Sequence, residues 1–170
     1  MQGLIGISID QVKTSTQGPE FQLGTLGLLN SVGPDTPTGD RIFMYVKAKQ
    51  AVTARGYLVV VDTAFEAELL DTTSSAPGAG AGRPVGSAGA AIALNGYGWV
   101  QVYGRGPIRT LADAAVGTEL TSSATEGAVD DATTAGLEVI NGLSLGTATG
   151  TAEATNEDGF LNFPYVGRTL

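Results

Sequence analysis

The chain has 170 residues, a length that suits one domain, and its 17 acidic and nine basic side chains give a net charge of −8. It contains neither cysteine nor histidine, which excludes disulfides, thiolate and Ser-His catalysis, and most zinc and transition-metal sites. The acidic balance, without a Lys/Arg cluster, disfavours nucleic acid and anionic membranes as partners. We therefore expect a protein that binds no cofactor and no metal and is not an enzyme.

Residues 1–40 predict an extended arm together with the first strands. The opening "MQGLIGISIDQVK" lacks the basic and long apolar regions of a signal peptide, so we expect synthesis in the cytoplasm. Gly18–Asp40 contains Pro19, Pro34 and Pro37, and proline interrupts the hydrogen bonding of a central strand. We predict that this arm precedes a β domain over residues 41–170, the whole chain forming one domain.

The rest of the chain reads as a series of strands. Short runs rich in Val, Ile and aromatic residues, bounded by Gly, Pro, Asn, Asp or Thr, are typical of strands. The predicted strands are Arg41–Val46, Gly56–Val61, Ala90–Leu94, Tyr97–Tyr103, Ile108–Thr110, Glu119–Thr121, Leu137–Ile140, Leu143–Leu145 and Leu161–Tyr165. Their spacing predicts an all-β fold, mainly an antiparallel β-sandwich or β-barrel, with no internal repeat. None of these apolar runs is long enough to span a bilayer.

Three segments between the strands carry other predictions. "TAFEAELL" (Thr63–Leu70), which Asp62 would cap, is the one candidate for a short helix. "PGAGAGRP" (Pro77–Pro84) has the glycines of a phosphate-binding loop but not its Lys-Ser/Thr end, which favours a flexible surface loop. "TATGTAEATNEDG" (residues 147–159) predicts a long excursion before the last strand.

Acidic residues raise one enzymatic alternative. "LVVVDTAF" resembles the catalytic turn of retroviral-type aspartic proteases, in which two subunits each supply one Asp and the pair shares a proton. The supporting hydrophobic-hydrophobic-Gly element is interrupted at Asn141 in "VING", and a strand that ends at a capping Asp62 explains the same residues. Two further acidic sets lack metal-ligand spacing, so solvated turns are the simpler interpretation. They are Asp130 with Asp131, and Glu153 with Asn156, Glu157 and Asp158.

The stretch "YGWVQVYGRGPIR" (Tyr97–Arg109) holds the only tryptophan and two of the five tyrosines of the chain. Strand alternation places Tyr97, Trp99 and Tyr103 on one face and the valines on the other. If the valines face the core, the three aromatic residues form a protein-contact patch. If the aromatic face is buried, they belong to the core. We favour a core role for Trp99 and retain a contact role for Tyr97 or Tyr103.

Several blocks of the chain resemble the capsid decoration proteins of tailed bacteriophages, which are also called cement or head-stabilising proteins. The blocks are "FQLGTLG" (Phe21–Gly27), "GDRIFMYVKAKQAVTARGYLVVVD" (Gly39–Asp62), "GAAIALNGYGWVQVYGRGPIR" (Gly89–Arg109), "AAVGTELTSSATEGAVDDAT" (Ala114–Thr133) and "FPYVG" (Phe163–Gly167). The resemblance extends over roughly residues 20–167, and "YGWVQVYG" is its most specific part.

The resemblance implies a structural virion protein that binds the major capsid protein on the outside of the head and stabilises it without chemistry. It also implies a homotrimer, located on the capsid exterior after synthesis in the host cytoplasm. Two alternatives to this role stay open. The first is an exposed virion module that binds a receptor or glycan through Tyr97, Trp99 or Tyr103. The second is a component of the tail.

Overall fold

A computed structural model describes residues 7–31, 39–150 and 154–170, and none of these residues lies in a helix. The predicted all-β fold is confirmed: ten strands form one large mixed sheet. The strands are β1 (Leu26–Ser31), β2 (Gly39–Ala48), β3 (Leu58–Val61), β4 (Glu66–Leu69), β5 (Val85–Ala88), β6 (Tyr97–Thr110), β7 (Thr121–Ser122), β8 (Val129–Asp130), β9 (Glu138–Leu145) and β10 (Thr155–Thr169).

Strand pairing closes two rings that share β6. In the first, which we call the N-terminal ring, β2 pairs in parallel with β4, and the ring continues through β3, β5 and β6 back to β2. In the second, the C-terminal ring, β6 pairs in parallel with β8, and the ring continues through β7, β9 and β10 back to β6. Both rings therefore follow one strand order, in which the first and third strands are parallel neighbours.

The two rings also agree in local detail. The first connection of each ring turns at a glycine with positive φ, Gly56 (86°) in one and Gly117 (84°) in the other. Before each glycine, a buried residue accepts a backbone hydrogen bond from the fourth connection of its ring. Val52 O accepts the N–H of Ile92 over 2.8 Å, and Ala114 O accepts the N–H of Thr149 over 3.0 Å. The two rings thus share a strand order, although the sequence shows no internal repeat.

The core explains why β3 is apolar throughout. Val59 and Val61 belong to a cluster drawn from all strands of the N-terminal ring, whereas Leu58 and Val60 belong to the cluster of the C-terminal ring. Successive side chains of a strand point to opposite faces, so β3 separates the two cores. A strand that is buried on both faces reads as an uninterrupted apolar run, which is what "LVVV" is.

A third cluster lies where N-terminal residues pack on the β2–β6 pair. Ile7, Phe43, Tyr45 and Trp99 are buried there, and Phe21 is among the partly buried residues packed against them. The ring centroids of Phe21 and Trp99 lie 5.2 Å apart, and those of Tyr45 and Trp99 lie 5.0 Å apart. We call Phe21, Phe43, Tyr45 and Trp99 the covered cluster, since residues from the first 25 positions lie over the β2–β6 pair.

The candidate helix over Thr63–Leu70 is a hairpin instead. Asp62 caps the turn between β3 and β4: its Oδ1 accepts the backbone N–H of Ala64 (2.8 Å) and of Glu66 (3.0 Å). Phe65 has φ 59°. In β4, Ala67 and Leu69 are buried while the two glutamates are half-buried, which is the period of a strand. The sequence "EAEL" is short enough to fit the period of a helix as well as that of a strand. Pairing with β3 and β2 selects the strand.

Several predicted strand boundaries also change. Ala90–Leu94 is not a strand, apart from the bridge between Ile92 and Val52, and the strand before it is Val85–Ala88. The predicted pairs of short strands at 97–110 and 137–145 are each one continuous strand. The excursion predicted at 147–159 ends earlier, because β10 begins at Thr155.

β1 lies within residues 1–40, for which an arm and the first strands are predicted, and it is the terminal strand of the sheet order. The Pro77–Pro84 loop is folded on itself: Gly80 donates its N–H to Ala76 O over 2.8 Å, and a Cβ at Gly80 would lie 2.3 Å from Ser74 O. At that position glycine permits close packing of the loop.

Candidate protein-contact surface

The three aromatic residues predicted on one face of β6 lie in two environments. Trp99 is 1% exposed, inside the covered cluster. Tyr97 is half-buried, stacks on Tyr45 at 6.4 Å and exchanges two backbone hydrogen bonds with Lys13. Tyr103 is half-buried beside Phe160 and Phe163. A single patch of Tyr97, Trp99 and Tyr103 therefore does not exist.

An irregularity in β6 separates Tyr103 from Trp99. The buried amide of Gln101 donates from Nε2 to the carbonyl oxygens of Tyr103 (3.2 Å), Gly104 (3.0 Å) and Arg105 (3.1 Å). Gly104 has φ 94°, and the register between β2 and β6 shifts at the same place. The strand consequently leaves the covered part of the N-terminal ring at Gln101, and Tyr103 emerges at the side of β10.

Tyr103 belongs to an exposed group of aromatic side chains. Its ring centroid lies 5.6 Å from that of Phe160 and 5.5 Å from that of Phe163. Phe160, Phe163 and Tyr165 are 42%, 49% and 47% exposed. We call Tyr103, Phe160, Phe163 and Tyr165 the aromatic surface. Exposed apolar groups that cluster in this way mark interaction sites on soluble proteins.

A small apolar pocket lies at one end of the aromatic surface. It has a volume of about 140 Å³, and Met44, Pro84, Val102, Phe163, Pro164 and Tyr165 line it. The connection before β5 forms its outer wall, where Val166 donates its N–H to Arg83 O over 3.0 Å and Gly82 donates to Val166 O over 2.8 Å. We call it the Met44 pocket. No carboxylate, ammonium or guanidinium group lines it.

A bulge in β10 presents Phe163. The register between β9 and β10 shifts between Leu161 and Tyr165, and Phe163 has φ 46°, a left-handed value that is unfavourable for a bulky residue. Gly142 on β9 accommodates the bulge, since a Cβ there would lie 2.6 Å from Asn162 O. Bulges of this kind redirect a side chain away from the ladder.

A wider groove adjoins the other end of the aromatic surface. Gly39, Asp40, Tyr103, Gly104, Arg105 and Phe160 line it, and its volume is about 370 Å³. Arg105 Nε donates to Asp158 Oδ2 over 2.6 Å, and this hydrogen bond raises the pKa of Arg105 above its ordinary value. Its guanidinium is therefore held against Asp158 beside the aromatic rings.

A larger depression lies elsewhere on the described surface. It has a volume of about 500 Å³ and is lined by Arg109, Leu111, Ala112, Thr125, Asp130 and Ala154. Its one cation is engaged within the fold, because Arg109 lies over the ring of Tyr57 at 4.2 Å and donates to Glu126 O over 2.8 Å. We therefore see in this depression no arrangement that points to a ligand.

The acidic candidates are used in local hydrogen bonds. The carboxylate of Asp62 caps its turn, Asp130 Oδ1 accepts the N–H of Asp131, and Asp131 Oδ2 accepts the N–H of Ala115. Glu157 accepts the hydroxyl of Thr155, and Glu153 lies outside the described residues. Within the described ranges no group of three or more acidic side chains is placed to hold a metal ion, and no helix there has the length and hydropathy needed to cross a membrane.

Sequence reasoning missed Phe160, Phe163 and Tyr165. The signal available was the density of aromatic residues in "FLNFPY", which holds three of the eleven in the chain. Alternation alone places Phe160 on one face and Phe163 and Tyr165 on the other, and the bulge brings Phe163 to Tyr103 beside Phe160.

Comparison with protein-family models, with curated proteins and with solved structures finds no match to this chain. We therefore infer function from the geometry of the described residues and from the resemblance in the sequence blocks.

Proposed function

We propose that this chain is a structural virion protein that binds the outside of a bacteriophage capsid and stabilises the head. The observation that carries the proposal is the aromatic surface, an exposed apolar cluster on a scaffold that buries Phe43, Tyr45 and Trp99. Aromatic residues are enriched at protein interfaces and dominate their energetics. The sequence resemblance to decoration proteins supports the choice of a capsid as the partner.

The scaffold suits a binding role. Two closed rings leave few free strand edges, so the surface is held by a continuous hydrogen-bonded framework. An interface of ordinary size buries about 800 Å² per partner, and one such contact need not be tight by itself. In a homotrimer, three such contacts on neighbouring capsid subunits would gain affinity through effective concentration. The net charge of −8 disfavours contact with packaged DNA.

The proposal is tested with phage heads that lack this protein. Purified wild-type chain should cosediment with expanded heads and raise the temperature at which they release DNA. The Phe160→Ala variant should bind more weakly. Leu94→Ala, which removes an exposed apolar side chain outside the aromatic surface, should bind as the wild type does. Failure of the wild type to bind expanded heads would refute the capsid role.

A glycan-binding role is the second candidate, because exposed aromatic rings also stack on sugars. Tyr103 and Phe160, rather than Trp99, would then form the platform. Binding of wild-type protein to immobilised host glycans, abolished by Phe160→Ala, would favour this role. Antibody labelling of intact particles, seen by electron microscopy, distinguishes a head protein from a tail component.

A further inference from the structure

We propose that the Met44 pocket receives one uncharged apolar side chain, of the size of Leu, Met or Phe, from a loop of the partner protein. The identity of that partner as a capsid protein rests on the proposed function above. The pocket itself is defined by this chain alone: three strands and one connection supply its walls, and every lining side chain is apolar or aromatic.

The size of the pocket selects the occupant. Small-molecule and cofactor sites have volumes of roughly 300 to 1,000 Å³, whereas this pocket has about 140 Å³. An apolar cavity of roughly 150 Å³ accommodates a benzene ring. One side chain therefore fills the Met44 pocket, and a drug-sized ligand does not fit. A sugar is disfavoured too, because it would find almost no hydrogen-bonding groups on the walls.

The backbone gives an independent reason to regard the pocket as functional. Phe163 lies on its rim with a left-handed φ of 46°, and a bulky residue in this region is strained. Such strain is retained where the surrounding structure enforces it, and it concentrates at ligand clamps and binding sites. Asn would satisfy the same backbone with less strain, yet the chain has Phe there, with its ring half-exposed beside the pocket.

The charges indicate what surrounds the inserted side chain. The pocket is neutral inside a chain of net charge −8. The groove at the other end of the aromatic surface is lined by Asp40 and by Arg105, whose guanidinium is paired with Asp158, so its carboxylates outnumber its cation. A second copy of this chain would bring the same negative charge to the interface. A partner loop with basic residues around its apolar side chain is complementary in charge, and such complementarity raises the association rate at low salt.

Methionine provides a direct probe of the pocket. The chain contains two methionines, Met1 and Met44, so ¹³C-methyl labelling places one NMR reporter in the pocket wall. We expect titration with N-acetyl-L-phenylalaninamide to give a saturable shift of the Met44 methyl resonance. N-acetyl-L-alaninamide, which lacks the ring, should give no saturable shift.

Three variants of the full chain locate the binding. Tyr165→Ala and Phe163→Asn each remove part of the pocket rim and should weaken the probe by about fivefold or more. Leu94→Ala, the matched change at an exposed site outside the pocket, should leave its affinity unchanged. The Phe163→Asn variant should fold, because Asn tolerates the left-handed conformation, and its NMR spectrum checks this.

Three results would overturn the proposal. The first is the absence of a saturable Met44 shift up to the solubility limit of the probe, or equal affinities in wild type and Tyr165→Ala. The second is a Met44 shift that depends on protein concentration alone, which would assign the pocket to a second copy. The third is a saturable shift with methyl β-glucoside. A failure to bind heads leaves these measurements unaffected, so the capsid role and the pocket are refuted separately.

Discussion

Two aromatic clusters of this protein include residues of β6 that are four positions apart, and they have opposite fates. Trp99 is 1% exposed in the covered cluster, whereas Tyr103 lies with Phe160 and Phe163, which are 42% and 49% exposed. Residues from the N-terminal 25 positions close over the first cluster, and none of the described residues closes over the second in the same way. The difference teaches that an aromatic strand is core or surface according to what the rest of the chain lays upon it.

The shared topology of the rings sharpens this contrast. Counted from the parallel pairs Ala48–Ala67 and Thr110–Val129, Tyr45 of the N-terminal ring corresponds to Pro107 of the C-terminal ring. Tyr45 pairs with Trp99, whereas Pro107 pairs with Asp158. The same position in the shared strand order is thus a buried aromatic residue, Tyr45, in one ring. In the other ring it is Pro107, which is half-buried and faces an aspartate.

Removal of Trp99 should have the largest effect. Trp99→Ala leaves a cavity between the covering residues and the β2–β6 pair, and truncation of a buried tryptophan costs about 3 to 5 kcal/mol. Chemical denaturation followed by circular dichroism measures the loss in the free energy of unfolding. A variant that keeps wild-type stability would contradict the assignment of Trp99 to the core.

A substitution at Gly104, where β6 passes from the covered cluster to the aromatic surface, should reduce stability nearly as much. In Gly104→Ala the new Cβ would lie 2.5 Å from Asp40 O, at a residue with φ 94°, and backbone strain of this kind with overpacking costs at least about 2 kcal/mol. Gly78→Ala is the matched control, because nothing lies within 4 Å of its Cβ and its φ is not positive. Equal thermal midpoints for the two variants would show that Gly104 is not required.

Alkaline pH should weaken the covered cluster. Burial raises the pKa of the Tyr45 phenol above its ordinary value, so the folded chain holds this proton more tightly than the unfolded chain does. The resulting stability is fully present below the ordinary phenol pKa of about 10 and is lost as pH rises through the higher pKa of the folded state. Lys47, whose pKa is raised by its hydrogen bond to Glu66, acts in the same direction.

The Tyr45→Phe variant isolates the phenol. Its unfolding free energy should fall less steeply between pH 9 and 11 than that of the wild type, whatever its value at pH 7, where the variant lacks the 3.2 Å hydrogen bond from the Glu20 N–H. Urea unfolding at a series of pH values measures the two slopes. Parallel slopes would mean that the Tyr45 proton is not held by the fold.

Truncation on the aromatic surface should have the smallest effect on stability. Phe160→Ala loses an edge-to-face contact with Tyr103 at a half-exposed site, which costs about 1 kcal/mol or less. The same variant should lose binding to its partner. Phe160→Ala should therefore reduce binding far more than it reduces stability, whereas Trp99→Ala reduces stability itself. A loss of stability as large as that of Trp99→Ala would place Phe160 in the core and remove the contrast.

The local sequence determined the all-β class and most strand positions, because alternation and the turn residues act over a few neighbours. Tertiary pairing decided the rest. The hairpin at Asp62 replaced a helix because "EAEL" gains partners on both sides as a strand, and the aromatic surface formed because a bulge in β10 brings Phe163 to Tyr103, 60 positions earlier in the chain. Contacts over that separation leave no periodic trace in the sequence, so only the tertiary structure decides which aromatic residues are covered and which remain available to a partner.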